Sequence, residues 1–230
     1  SFAIDVDDTI TIVYKDSTTG TGDVARIPAN GDQYDLSFGT SGKISDVFGG
    51  TISGTDKIKV AIDGNNNVIV GASMDAANTV KVRRYTSAGA VDTTFNTTGA
   101  ALTITSGNSA DRTIVTRLLA NAAGQYALVG YEDIDSTTSD KMWIAQVSNA
   151  GILDTTFNPS SSSQAGENLF TMNGSGTLQK LMGGMISSEG KVVAVGQETV
   201  STYSNPVMAV LFDSQYSAEV QHVPSDLEDG

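Results

Sequence analysis

Cysteine is absent from this chain of 230 residues, and histidine and tryptophan occur once each, as His222 and Trp143. Without a thiol there is no disulfide framework, no thiolate nucleophile and no cysteine-held metal. A lone histidine rules out a multi-histidine zinc site within one chain. A Ser-His-acid set would have to run through His222, which stands beside Gln221 with no motif around it. Trp143 sits in a strand-like run that does not decide whether its ring is core or a ligand platform. No run of 18 apolar residues occurs, so direct membrane insertion is not expected. Basic residues number 13 against 26 acidic ones, a net charge of −13. That charge repels phosphate backbones and anionic lipid, which argues against nucleic-acid partners. It also fits a well-solvated surface. A Walker loop, a Gly-x-Ser-x-Gly elbow, a His-Glu-x-x-His helix and a sialidase-type aspartate box are all missing. No catalytic residue is assigned on sequence.

A long repeat is present. Val91-Asp92-Thr93-Thr94-Phe95-Asn96 returns as Leu153-Asp154-Thr155-Thr156-Phe157-Asn158, with a looser copy at Tyr34-Asp35-Leu36-Ser37-Phe38-Gly39. The three phenylalanines are spaced by 57 and 62 residues. Each interval also contains a strand–turn–strand block: Val60–Gly71, Leu119–Gly130 and Met185–Gly196. Gly, Asn and Asp at the block centres supply hairpin turns, and the apolar runs beside them have the length of strands. After each phrase the first strand of the next unit is expected, at Lys43–Phe48, Ala101–Ile104 and Asn168–Met172. Others are expected at Lys57–Ile62, Thr113–Leu119 and Thr177–Met182, and at Val80–Tyr85, Met142–Val147 and Val207–Phe212. The content is four strands per unit, which among all-β chains points to a propeller.

The units run over about 1–33, 34–90, 91–152 and 153–216, followed by 217–223 and an acidic tail at 224–230. Ala3–Ile12 aligns with Ala61–Val70, so the first unit lacks a first strand, and Ser217–Val223 falls where such a strand would begin. Two readings stay open. One is a four-bladed ring closed by Ser217–Val223, which would remove exposed sheet edges. The other is a segment of a larger ring, or blades combined with those of another chain.

The Leu-Asp-x-x-Phe-Gly phrase with its Gly-Lys-hydrophobic continuation resembles the delta-60 repeat of bacterial β-propeller domains. Tyr34–Ile44 is the copy nearest to that pattern. Asp63–Gly71 and Glu189–Gly196 resemble the family's second block, and Arg84-Tyr85-Thr86-Ser87-Ala88-Gly89 its third. The resemblance covers about residues 3–212. It implies the propeller fold and carries no activity. Asn96 and Asn158 depart from the pattern, standing where it has glycine.

Candidate sites are few. Asp63, Asn65 and Asn67 have the alternate spacing of a calcium loop, but no glutamate follows at the distance an EF-hand needs, and a hairpin turn wants the same residues. No cofactor is expected otherwise. Asp35, Asp92 and Asp154, with Phe38, Phe95 and Phe157, recur once per unit. A site needed once needs no copies, so these read as structural: the acid caps a turn and the ring packs between sheets. The connections after the third strands vary in length: Lys15–Gly22, Glu132–Asp140 and Gln197–Asn205. Loops on one rim of a rigid scaffold are where binding usually lives, which singles out Glu132, Asp133, Asp135, Glu198 and Tyr203.

These observations lead to an expectation of a non-enzymatic interaction or structural module. It would lie outside or on the surface of a bacterium or phage, as a virion or adhesin component. It would present its loops to a protein or glycan partner, or pack into a larger assembly. The alternative is a polysaccharide-directed hydrolase or lyase with carboxylates in the central channel. Two converging acids at one channel mouth, without blade-to-blade copies, would favour the enzyme, and a featureless channel would favour the module.

Overall fold

The computed structural model describes all residues except 55–56, 75–78, 106–111, 134–139, 158–164, 171–177, 201–202, 212–218 and 223–230. For 200, 203–211 and 219–222 it describes the backbone alone. Strands β1 (Phe2–Ile4), β2 (Ile10–Lys15), β3 (Gly22–Ile27) and β4 (Lys43–Ile44) form the first sheet. The second contains β5 (Ile58–Ile62), β6 (Val68–Ser73), β7 (Thr79–Tyr85) and β8 (Leu102–Thr105). β9 (Arg112–Ala120), β10 (Tyr126–Asp133), β11 (Lys141–Val147) and β12 (Glu167–Phe170) form the third. The fourth is β13 (Leu178–Ile186), β14 (Val192–Val200), β15 (Tyr203–Leu211) and β16 (Glu219–His222). Neighbouring strands are antiparallel throughout. The one helical segment among the described residues is α1 (Asn96–Gly99).

Packing, not propensity alone, orders these sheets. The first strands β1, β5, β9 and β13 contact one another in succession, and three apolar clusters fill the spaces between consecutive sheets. Every residue of β6 is buried because both faces of its sheet are covered. The result is the expected all-β, propeller-like stack of four-stranded blades.

One expectation is corrected. The strand after each Asp-x-x-Phe phrase does not open the next sheet. It turns back and completes the sheet it has just left, as β8 does beside β7. The first sheet therefore has its own first strand, β1, paired with β2. The predicted closing segment, as β16, pairs with β15 inside the fourth sheet. An outer strand gains a full ladder by pairing with the strand just before it, with no need to cross to a distant sheet.

The repeated phrase bolts each blade to the next. Asp35, Asp92 and Asp154 accept from the backbone N–H and hydroxyl of Ser37, Thr94 and Thr156. That tight turn drives Phe38, Phe95 and Phe157 into the three inter-sheet clusters. Just past the ring, Gly39 N–H donates to Ala88 O and Asn96 N–H to Ala150 O in the following blade. Gly39 and Asn96 both have positive φ, 57° and 48°, and asparagine is the side chain that best tolerates this region. That explains the departure from glycine at Asn96. Asn158 lies outside the described residues.

Candidate functional site

The sheets have two distinct ends. One carries the inner turns at Asp63, Asn121 and Ser187 together with the phrases. The opposite rim carries the connections after β2, β6, β10 and β14, where the sequence-predicted binding residues fall.

On this rim the third sheet concentrates acids. Glu132, near the end of β10, stands opposite Thr113 of β9 and Lys141 of β11. Glu167 opens β12 opposite Ala145. Cross-strand partners share a face, and alternate residues along a strand return to it. Glu132, Trp143 and Glu167 therefore lie on the face that packs against the second sheet, where Trp143 and Ala145 join the core. Both carboxyls are almost wholly shielded, Glu132 at 1% and Glu167 at 0% exposure. Trp143 Nε1 donates to Glu167 Oε2 at 3.2 Å. Burial pushes the Glu167 carboxyl up to about 7; the Trp143 hydrogen bond opposes this and the charge of Glu132 adds to it. A carboxyl in this range exchanges its proton near neutrality beside a second acid, an arrangement typical of acid–base work.

Glu167 carries no signal in the sequence, because it stands alone after a Ser-rich stretch and just outside the strand predicted at Asn168–Met172. It is also not repeated. Lys43 holds the same register in the first sheet, since Gly42 O and Gly166 O accept from Arg26 and Gln146 at matching positions.

The other predicted rim residues divide. Glu198 occupies in the fourth sheet the position of Glu132 in the third. It is buried and accepts from Gln179 Nε2 at 2.9 Å. Asp133 is exposed at the end of β10. Asp135 lies outside the described residues, and Tyr203 opens β15 with its side chain outside them. Sequence reasoning also missed Lys180, which pairs with Asp140 at 3.2 Å and sits 4.4 Å from the Tyr131 ring centroid. Burial works against the Lys180 ammonium, but Asp140, Tyr131 and Asp133 hold its proton more firmly than usual. The rim thus carries a cation and an aromatic ring in contact, with an exposed acid near them, on the face of the third sheet opposite the buried pair.

At the turn end, Asp63 is occupied. Its Oδ1 accepts from Asn65 and Asn67 N–H, and its Oδ2 from Asn67 Nδ2 and the Tyr126 hydroxyl. This is turn and packing chemistry, and among the described residues no group of three or more acidic, histidine or cysteine side chains is arranged to hold a metal ion. The first strands carry Lys59 and Arg117 at equivalent register, opposite Gly71 and Val129. Among the described residues the acids of the third sheet stand at the rim, not at this inner edge.

No known family's pattern and no curated protein matches the chain. The delta-60 resemblance is therefore supported for architecture alone. Among solved structures, the chain is similar to a novel α-L-arabinofuranosidase from Clostridium thermocellum ATCC 27405. The identity is 9% and the TM-score 0.45, over 96% of this chain and 70% of that one. It is also similar to an exo-β-1,3-galactanase from Clostridium thermocellum at 10% identity and a TM-score of 0.46, over 96% of this chain and 48% of that one. The chain spans about half the length of the galactanase, and no residue role is transferred from either protein.

The expectation of a non-enzymatic module is corrected at this point. Two of the solved structures that the chain is similar to in fold carry enzyme names. Within the molecule, Glu167 has no acidic counterpart at its register in the first sheet, where Lys43 stands, and it is buried on the same face as Glu132.

Proposed function

We propose that the chain is an enzyme acting on polysaccharide, a hydrolase or lyase that works outside the cell. The observation that carries this reading is the Glu132–Glu167 pair, in which burial and a neighbouring charge raise one carboxyl to about 7. Cleavage next to a sugar oxygen needs one group that gives a proton and another that stays ionised. Glu167, whose carboxyl keeps its proton up to about 7, fits the first role, and Glu132 is the second carboxyl on the same face. Both carboxyls are shielded in the structure, so substrate would have to reach them from the rim, past Thr113 and Lys141, the cross-strand neighbours of Glu132. The sequence reading put the carboxylates in the channel; this one puts them at the edge between the second and third sheets.

The test is product release from a panel of neutral and acidic polysaccharides, arabinan and β-1,3-galactan included. Reducing ends without new ultraviolet absorbance mean hydrolysis, and unsaturated ends mean elimination. Glu167→Gln and Glu132→Gln should each abolish release while the circular dichroism spectrum stays unchanged. Activity that survives both substitutions would remove the pair from the mechanism.

A further inference from the structure

Each seam inside the chain joins the downstream face of one sheet to the upstream face of the next. On the upstream side Val60 pairs with Val70, Ile62 with Val68, Leu118 with Leu128, and Ile186 with Val192. These residues fill or border the three inter-sheet clusters. On the downstream side Ala61, Ile69, Ala127 and Val129 meet them.

The two end sheets repeat the pattern without a mate. Phe2 pairs with Ile12 and Ile4 with Ile10, the upstream positions of the first sheet. Yet Phe2 is 66% exposed and Ile4 54%, whereas Val60 in the place of Phe2 is 6% exposed. At the other end Met185 pairs with Val193, the downstream register of Leu119 with Ala127. Met185 is 62% exposed, and Val195, which matches the fully buried Val129, is 46% exposed. Among the described residues the chain therefore carries both halves of a fourth seam, and these halves do not meet. A monomer rarely leaves such contiguous apolar faces open to water.

We propose that this seam forms between two copies of the chain, with the downstream face of the fourth sheet in one copy packed on the upstream face of the first sheet in the next. The occupant follows from continuity, because the same registers already mate three times within each copy. Such a contact is heterologous: two copies close a ring if the rotation permits, and otherwise the chain extends head to tail.

Light scattering across a dilution series tests this. The wild type should exceed the monomer mass and fall toward it on dilution. A Phe2→Glu/Ile4→Glu variant and a Met185→Glu/Val195→Glu variant should each be monomeric. All four positions are exposed in a single copy, so each variant should melt at the midpoint that the wild type reaches at the dilution where it is monomeric. Mixed, the two variants each retain one good face, and they should form a one-to-one complex and nothing larger. Hydrogen exchange on the wild type reads the same contact without substitution, with protection at 2–4 and 185–195 lost on dilution. A wild type that is monomeric throughout would overturn the proposal, as would association that either variant leaves intact. A mixture that stays monomeric would do so too.

Discussion

The indole Nε1 of Trp143 donates to Glu167 Oε2 at 3.2 Å, and both side chains are at 0% exposure. A buried acid held this way makes stability depend on pH. Folded Glu167 keeps its proton up to about 7, whereas its ordinary value is 4.5. Between those values the folded chain binds more protons than the unfolded one, so this contribution is complete below 4.5 and is lost as pH rises through 7. The loss should approach about 3 kcal/mol. Glu167→Gln should flatten that part of a urea-denaturation profile taken from pH 4 to 8. An unchanged slope would mean that Glu167 titrates normally.

Arg84 is a second buried charge, and it links two blades. It contacts Asp92 at 2.7 Å, the Tyr126 hydroxyl at 2.9 Å and Asn149 Oδ1 at 2.6 Å, while Tyr126 in turn donates to Asp63. Removing one partner of such a set leaves the others desolvated without compensation. Arg84→Ala should cost about 3–5 kcal/mol, measured by equilibrium unfolding. Arg84→Lys should recover little, because an ammonium cannot reproduce the planar fork. A loss under about 1 kcal/mol would place this network among surface ion pairs.

The ring of Phe95 lies 6.3 Å from that of Tyr126 and is fully buried. Phe95→Ala should destabilise by about 3–5 kcal/mol, read from the thermal or urea midpoint. Gly151→Ala should be damaging for a different reason. Its φ is +75°, and a methyl there would stand 2.5 Å from Asn96 N and from the Phe95 ring. A midpoint unmoved by either substitution would contradict the blade-to-blade bolt.

Residues 217–230 include β16, the outer strand of the fourth sheet. At a dilution where the chain is monomeric, their removal should expose the edge of β15 and loosen that sheet, leaving exchange protection in β1–β12 unchanged. Loss of protection in β1 and β2 would restore the idea of a strand lent to the first blade.

The sequence showed the repeat, the hairpin blocks and the all-β class, because turn residues and strand-length apolar runs are local signals. It did not show the phase of the blades. The Asp-x-x-Phe phrase looks like a boundary, yet β8 and β12 follow it and still pair backward. Only the ladder decides that choice. The bolt was half legible: Asp92 and Phe95 recur visibly, but the residue eight or nine positions before each aspartate is Arg26, Arg84 or Gln146. Their common role appears only when all three are seen reaching the following blade. Glu167 carried no signal at all, since its chemistry comes from Trp143 and Glu132, which are distant in sequence and brought together by the β10–β11–β12 ladder.

The most direct test of the account is a carboxyl-carbon NMR titration of the glutamates, assigned by comparing wild type with Glu167→Gln. One carboxyl should titrate near 7, vanish in Glu167→Gln, and move down in Glu132→Gln as the neighbouring charge is removed. A spectrum in which every glutamate titrates near 4.5 would contradict the coupled pair, and with it the enzymatic reading that rests on it.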